Sequence, residues 1–396
     1  MWGKPVLKPL HTLLAPLLFS LSALILWSPA GDTAAIAADS DLIYVPGTLG
    51  LDPSSGALAV GVAGQFHQAM KNIGVTLEAE GSDFSQVASV NVFLSDTRHF
   101  QAMNEVYREY FPNDPPTRAT VGVDLPMAGA LVQIAMVAVR PGVTRRVVRP
   151  QTLKSPELPY SWGIQAGNAL FIAGATSRDP ETYQPVTGDI ATQTRRVFGN
   201  IGAVLDAVEM DYGDLTSCTV FLNDPRDFSA MNAAYREFVT DEPPARATVR
   251  AQLVNPLFGV EIQCVAHHSD KRSVLIAAGA QRPQSPYSPA IRVGDRVYTA
   301  GMVGSGSDGI AKGEIESQTL QTLANLRNTL ASSQMDFTDV NAVHVFVPHI
   351  SHGRVVNELL DEFIGTGPSR TMIGADLMGP DYLIEIMMFA SSTENR

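Results

Sequence analysis

Two segments of this 396-residue chain repeat one another without a gap at a spacing of 128 residues. The first reads Val92-Phe93-Leu94, Phe100-Gln101-Ala102-Met103-Asn104, Tyr107-Arg108-Glu109 and Pro115-Pro116-Thr117-Arg118-Ala119-Thr120-Val121. The second reads Val220-Phe221-Leu222, Phe228-Ser229-Ala230-Met231-Asn232, Tyr235-Arg236-Glu237 and Pro243-Pro244-Ala245-Arg246-Ala247-Thr248-Val249. A weaker third copy keeps the register through Val345-Phe346-Val347, Asn357 and Arg370, which follow the second at 125, 125 and 124 residues. Upstream, Gln65 and Asn72 recur as Gln193 and Asn200, then as Gln318 and Asn325. Solenoid repeats have periods of roughly 20–50 residues, so each copy here is expected to be a domain with its own core. The length allows two or three such cores. The copies are placed at residues 39–142, 143–268 and 269–396, with linkers near Pro141–Val143 and His267–Lys271.

The second copy gives the clearest reading of local structure. A β-branched stretch at Arg145–Val148 is followed by a turn-rich segment from Pro150 to Pro159 and a strand at Ala169–Ala173. Asp179-Pro180 and Thr187-Gly188 signal turns. Val197, Ile201, Val204 and Leu205 recur at helical spacing within Ile190–Val208. A strand is expected at Thr216–Leu222, a short helix at Asp227–Val239, and strands at Ala247–Leu253 and Gly259–Ala266. Two helices per copy need a sheet face to cover, which is an α+β order.

Residues 1–38 read as an address. Lys4, Lys8 and His11 precede an apolar run from Thr12 to Trp27, and Ala35-Ile36-Ala37 follows. That order predicts a secretory signal cut near Ala37 or Ala38, and hence a periplasmic or extracellular protein. The apolar run is slightly short for a membrane span; an uncleaved N-terminal anchor is the alternative. A net charge of −12 excludes a general nucleic-acid binder, because phosphates would be repelled. Export permits a disulfide between the two cysteines, Cys218 and Cys264. Their apolar, strand-like surroundings predict small buried thiols instead.

At this point the residues resemble the RidA family, once per copy. The second copy carries Pro159-Tyr160-Ser161, Ala173-Gly174, Gln193, Asn200, Asn232, Tyr235, Pro244-Ala245-Arg246 and Glu261 in the family's order. The third carries Pro286-Tyr287-Ser288, Ala300-Gly301, Gln318, Asn325, Asn357, Arg370 and Glu385. The resemblance covers nearly everything after residue 38. It implies a chorismate-mutase-like α+β fold of the kind that forms homotrimers with ligand sites between subunits. Three tandem copies then imply a pseudotrimer closed within one chain, a monomer with internal three-fold pseudosymmetry.

Enzymes of the RidA family hydrolyse reactive 2-enamines and 2-imines of amino acids to 2-oxo acids and ammonia. The resemblance implies the same substrates, no cofactor, and no nucleic-acid or membrane partner after signal cleavage. Such chemistry asks for a planar cation to hold the substrate carboxylate and a carboxylate to position water. Arg246 and Glu261 are 15 residues apart, as are Arg370 and Glu385, so each copy is expected to supply an Arg and a Glu from successive strands. Arg246, Arg370 and Arg118 are the expected substrate-binding cations, and Glu261 and Glu385 the expected catalytic groups. Tyr160, Tyr287, Asn232 and Asn357 fall at family pocket positions. Taken singly, an Arg at a loop–strand junction is an ordinary surface ion pair, and a Glu in an apolar strand an ordinary solvent-facing residue.

The first copy departs from the pattern. Fifteen residues after Arg118 stands Gln133, which can hydrogen-bond water but cannot act as a base, and the Pro-Tyr-Ser segment is missing. Copy one therefore reads as degenerate for catalysis, leaving at most two clefts with both groups. Ala173 and Ala300 stand where many deaminating members have Ser, and Thr120, Thr248 and Met372 where Cys is frequent. A non-catalytic protein holding a small carboxylate on the same scaffold is the main rival. An RNA-cleaving activity sometimes attributed to the family fits poorly with the acidity. His344, His349 and His352 cluster near one strand end, but no carboxylate spacing completes a metal motif.

Overall fold

The computed structural model describes residues 39, 41–239, 241–268, 271–306, 309–311 and 313–392. The signal assigned to residues 1–38 lies outside them. Each copy folds into a mixed sheet with two helices on one face. In copy one the strands lie in the order Leu42–Leu49, Val132–Val139, Val87–Leu94, Thr117–Gly122. In copy two the order is Arg145–Val148, Gly163–Ala166, Ala169–Thr176, Val260–His267, Leu215–Leu222, Ala245–Arg250. Copy three runs Arg272–Leu275, Ala290–Val293, Arg296–Thr299, Glu385–Ser391, Val340–Val347, Ser369–Gly374. In every copy the last two strands of the order pair in parallel and the others are antiparallel. The parallel step is the crossover that carries the short helix: Phe100–Tyr110, Phe228–Tyr235 or Gly353–Ile364.

The sequence periodicities match most of these elements, with one omission and one break: the strand expected at Ala247–Leu253 ends at Arg250, and Gln252–Leu253 pairs in copy one's sheet instead. The helix expected at Ile190–Val208 spans Ile190–Asp206, and it buries Val197, Ile201, Val204 and Leu205 against the sheet. The strand Gly163–Ala166 was not expected. It is four residues long, begins with glycine, and turns back into Ala169–Thr176 through Gly167 at φ +57°. So short a strand leaves too little alternation to read.

The recurring amides are scaffold. Gln65, Gln193 and Gln318 each accept from a loop amide just ahead of the Glu- or Gln-bearing strand: Leu131 N–H, Gly259 N–H and Leu383 N–H at 2.7, 2.8 and 2.9 Å. Asn72, Asn200 and Asn325 donate to carbonyls at equivalent places, Leu51 O, Arg178 O and Ser305 O, at 2.8, 2.9 and 2.8 Å. They tie the long helix to the loop beyond the opening strand, where an unpaired buried carbonyl would be costly.

The faces turned away from the helices are apolar as well. Val87–Leu94 is buried along nearly its whole length, as a sheet covered on both sides requires. Phe93, Phe221 and Phe346 occupy equivalent places, as do Val121, Val249 and Ile373, and all six belong to one core cluster drawn from all three copies. The copies also join through backbone. Gln252–Leu253 of copy two adds to the edge of Thr117–Gly122 in copy one. Asp124 of copy one and Gly374 of copy three exchange N–H···O bonds of 3.1 and 2.8 Å. Ser161 N–H donates to Pro116 O at 3.1 Å, and Ser288 N–H to Pro244 O at 3.1 Å, so each Tyr-Ser segment is tied to the preceding copy. Arg296 of copy three pairs at 2.8 Å with both Asp39 and Asp41 of copy one.

The cysteines correct the sequence expectation. Cys218 and Cys264 are register partners on adjacent antiparallel strands, with Cα atoms 4.1 Å apart, and they form a disulfide. Reading each cysteine within its own apolar run missed that cross-strand pairing puts them face to face. The bridge spans 46 residues, so the Cys218→Ala/Cys264→Ala variant is expected to lose about 2–4 kcal/mol of unfolding free energy. Denaturant titration measures this; an unchanged midpoint, or two free thiols in the native protein, would show the bridge does not form.

Candidate active site

The functional strands are placed so that Arg and Glu of one copy do not meet. Within copy two, Leu215–Leu222 lies between the Arg246 strand and the Glu261 strand. Arg246 is in register with Cys218, whereas Glu261 is opposite Phe221, further along. Glu261 instead crosses to copy one, where its Oε1 accepts from Thr120 N–H at 3.3 Å. Thr248 N–H of copy two acts on Glu385 of copy three in the same way. Each copy supplies one Arg and one Glu, as expected, but to different clefts: the groups that come together are Arg118 with Glu261 and Arg246 with Glu385. A sequence spacing of 15 residues could not reveal this, because the partner strand belongs to the next copy.

Two glycines make the approach possible. A Cβ at Gly174 would overlap Glu261 Oε1, and a Cβ at Gly301 would overlap Glu385 Oε1. Only glycine leaves room for the carboxyl group at the strand end. Glu261 and Glu385 are 4% and 7% exposed, which rules out the solvent-facing reading. Burial pushes Glu261 up to about 8, with the Thr120 amide and the charges of Arg118 and Arg178 pulling the other way. Burial likewise raises Glu385 to about 8 against the Thr248 amide and Arg246. Burial thus favours the protonated form of both carboxyls at neutral pH.

The cations are held by aromatic rings and one amide each. Arg118 donates to Asn104 Oδ1 at 2.8 Å and lies 4.6 Å from the Tyr107 ring centroid. Arg246 donates to Asn232 Oδ1 at 2.7 Å and lies 4.7 Å from the Tyr235 ring and 5.8 Å from that of Tyr287. Ring faces attract the cation without neutralising it. Arg246 Nη1 is buried without a well-formed hydrogen bond, its guanidinium interacting with the Tyr235 side chain. Tyr160 and Tyr287 come from the following copy: Tyr160 lies within range of Arg118's charge, and its hydroxyl meets that of Tyr183 at 2.7 Å.

The third boundary is built differently. Gln133, 1% exposed, donates to Gly47 O at 3.2 Å, and the place of Gly47 is crowded by Gln133 and by Thr371 of copy three. Arg370 at this boundary donates to Asp361 at 2.8 Å, to Gly365 O at 3.0 Å and to Asn357 Oδ1 at 3.3 Å. Its charge is compensated within copy three. Arg118, read from its own copy as part of a degenerate unit, stands in a boundary with Glu261, whereas Arg370 lies on the strand whose Thr371 reaches the Gly47–Gln133 place. Sequence reasoning noted Thr120 and Thr248 only as substitutes for a frequent Cys, and it did not find Tyr183 or Arg178. The first two act through backbone amides, and the last two lie in a loop with no repeat signal.

With the geometry in hand, comparison with known proteins is direct. The family model described as Endoribonuclease L-PSP matches residues 31–140, 152–268 and 279–392. A RutC family protein of Pyrococcus horikoshii is 39% identical over 123 residues, covering 31% of this chain and 98% of that protein. A human protein named 2-iminobutanoate/2-iminopropanoate deaminase is 41% identical over 103 residues, covering 26% of this chain and 75% of that protein. The crystal structure of a chorismatase aligns over 89% of this chain and 100% of its own with a TM-score of 0.53 and 14% identity. That likeness concerns fold alone, and it spans all three copies.

A protonated Glu beside a charged Arg leaves uncompensated positive charge at both of these boundaries, with Arg178 adding to it beside Glu261. The affinity of a small monocarboxylate such as 2-oxobutanoate should be level below pH 8 and fall roughly tenfold per unit above it, as the glutamates ionise. Calorimetric titration from pH 6 to 10 measures this, and Glu261→Gln/Glu385→Gln should flatten the profile. A profile that is flat in the parent protein would contradict the assignment.

Proposed function

This chain belongs to the endoribonuclease L-PSP family, the RidA family, and from that membership we propose that it hydrolyses reactive 2-imino acids to 2-oxo acids and ammonia. The two working clefts in this reading are Arg118/Glu261 and Arg246/Glu385, each made by consecutive copies. The observation that carries it is a buried carboxyl, Glu261 or Glu385, within reach of the charge of the preceding copy's arginine at two of the boundaries, with burial raising its pKa to about 8. Imine hydrolysis needs a group that both gives and takes a proton near neutrality, and such a group works best with a pKa near the working pH. The names carried by relatives support the same class of chemistry.

The steps follow from the residues. The guanidinium holds the substrate carboxylate and fixes C2 and its imine nitrogen beside the Glu. The carboxyl gives its proton to the imine nitrogen, making C2 electrophilic. The resulting carboxylate takes a proton from water as the water oxygen bonds to C2, giving a carbinolamine. The carboxyl then protonates the amine, the C2–N bond breaks, and the hydroxyl proton returns to the carboxylate as C2=O forms. Ammonia and the 2-oxo acid leave with the Glu protonated again. No cofactor enters.

We take the domain limits as 39–142, 143–268 and 269–396, and the copies as closed on one another in a pseudotrimer that acts as a monomer. The contacts of copy one with two, two with three and three with one support that closure. We also propose export. The order of charge and apolar residues in the first 38 positions supports it, as does a disulfide of the kind that persists in oxidising compartments.

The test is release of 2-oxo acid and ammonia from 2-iminobutanoate generated in situ. Glu261→Gln/Glu385→Gln should lower kcat by roughly 10²–10⁴-fold, and Arg118→Ala/Arg246→Ala should abolish acceleration. Arg370→Ala should retain most of the parent rate. No acceleration by folded protein that still binds 2-oxobutanoate would sink the deaminase and leave carboxylate binding as the activity.

A further inference from the structure

The two complete clefts differ at one position that the internal repeat identifies. The carbonyls that receive Asn72, Asn200 and Asn325 belong to Leu51, Arg178 and Ser305. These three residues are therefore equivalent, and each follows by four residues the glycine that crowds against Gln133, Glu261 or Glu385, namely Gly47, Gly174 or Gly301. One boundary carries an aliphatic side chain there, one a hydroxyl, and one a second guanidinium.

Arg178 is presented as a cation. Its guanidinium lies 4.3 Å from the Tyr183 ring centroid and 4.9 Å from that of Phe258, between two rings from the loops that flank Glu261. Among the described residues it donates to Tyr183 O at 3.0 Å and to no carboxylate. Tyr183 bonds Tyr160, which the Ser161–Pro116 and Ser161–Pro115 bonds hold against the entry to the Arg118 strand. The charges of Arg118 and Arg178 both reach Glu261, Tyr160 and Tyr183. At the other boundary, Glu385 and Tyr287 feel Arg246 as their cation.

We propose that the Arg118/Glu261 cleft takes a doubly anionic substrate, the imine of an acidic amino acid, with Arg118 on the C1 carboxylate and Arg178 on the distal one. The Arg246/Glu385 cleft, with Ser305 in place of Arg178, takes a monocarboxylate. A guanidinium suits the distal role because its fork matches a carboxylate and its faces can remain stacked on rings. An ammonium would supply charge without that geometry. One chain would then process two classes of imino acid, in clefts that three identical subunits could not have made different.

The substrate class rests on the deaminase reading, but its test does not depend on turnover. Arg246→Ala leaves the first cleft's cations, and Arg118→Ala leaves the second's. By calorimetry, Arg246→Ala should bind 2-oxoglutarate about tenfold or more tighter than 2-oxobutanoate, and Arg118→Ala should show no such preference. In the Arg246→Ala background, Arg178→Ser should remove the preference and Arg178→Lys should keep part of it. With imines made in situ from glutamate and 2-aminobutanoate by amino-acid oxidases, Arg178→Ser should raise KM for the dicarboxylate more than it lowers kcat. Equal binding of the two oxo acids by Arg246→Ala, or a ratio unmoved by Arg178→Ser, would overturn the proposal. A dicarboxylate preference without any imine turnover would uphold it and defeat the deaminase reading. Turnover without the preference would do the reverse.

Discussion

Phe93, Phe221 and Phe346 stand at one place in three copies and share one apolar core with Val121, Val249 and Ile373. Each copy already has a core between its sheet and helices, so the second apolar face of each sheet needs other cover. The copies supply it to one another. Burial of three sheet faces at once is a large non-directional driving force, and the backbone bonds at the boundaries fix the register. That register brings Thr120 N–H to Glu261 and Thr248 N–H to Glu385. The candidate chemistry is a by-product of how the sheets cover each other.

The same packing makes the site expensive. A carboxyl whose pKa rises from 4.5 to about 8 on folding binds more protons folded than unfolded between those values. Stability is therefore greatest below about pH 4.5 in this respect and declines as pH rises toward 8, beyond which both states are ionised. A glutamate kept for stability alone would be better placed in solvent. Holding two of them buried, with glycine opposite each, is what the proposed proton transfer near neutrality would ask of them. At the third boundary the carboxyl is replaced by Gln133, and the matching arginine is compensated by Asp361. Removing the buried carboxyl and occupying the cation are consistent changes, in keeping with the proposal that the chemistry lies at the other two boundaries.

Much of this was legible in the sequence, and the omissions have definite causes. The 128-residue repeat and the periodicity of Val197, Ile201, Val204 and Leu205 gave the domains and their helices, because apolar spacing is a local property. The identities of Arg118, Arg246, Glu261 and Glu385 were legible through their repeated order. Which Arg serves which Glu was not, since spacing within a copy says nothing about a strand supplied by the next one. Cys218 and Cys264 failed for the same reason on a smaller scale: pairing across strands is invisible in either run alone. Arg178 left no motif, and its role emerges only when Asn72, Asn200 and Asn325 show which residues are equivalent.

The central claim is that each site is divided between consecutive copies, and crossed double variants test it most directly. The rate of 2-iminobutanoate hydrolysis would be compared in Arg118→Ala/Glu261→Gln and Arg246→Ala/Glu261→Gln. The first removes both halves of one inter-copy cleft and leaves Arg246 with Glu385, so turnover should persist. The second removes one half of each cleft, so turnover should be lost although only two residues are changed. If the second variant keeps turnover comparable to the first, Arg246 and Glu261 act as a same-copy pair and the inter-copy account is wrong.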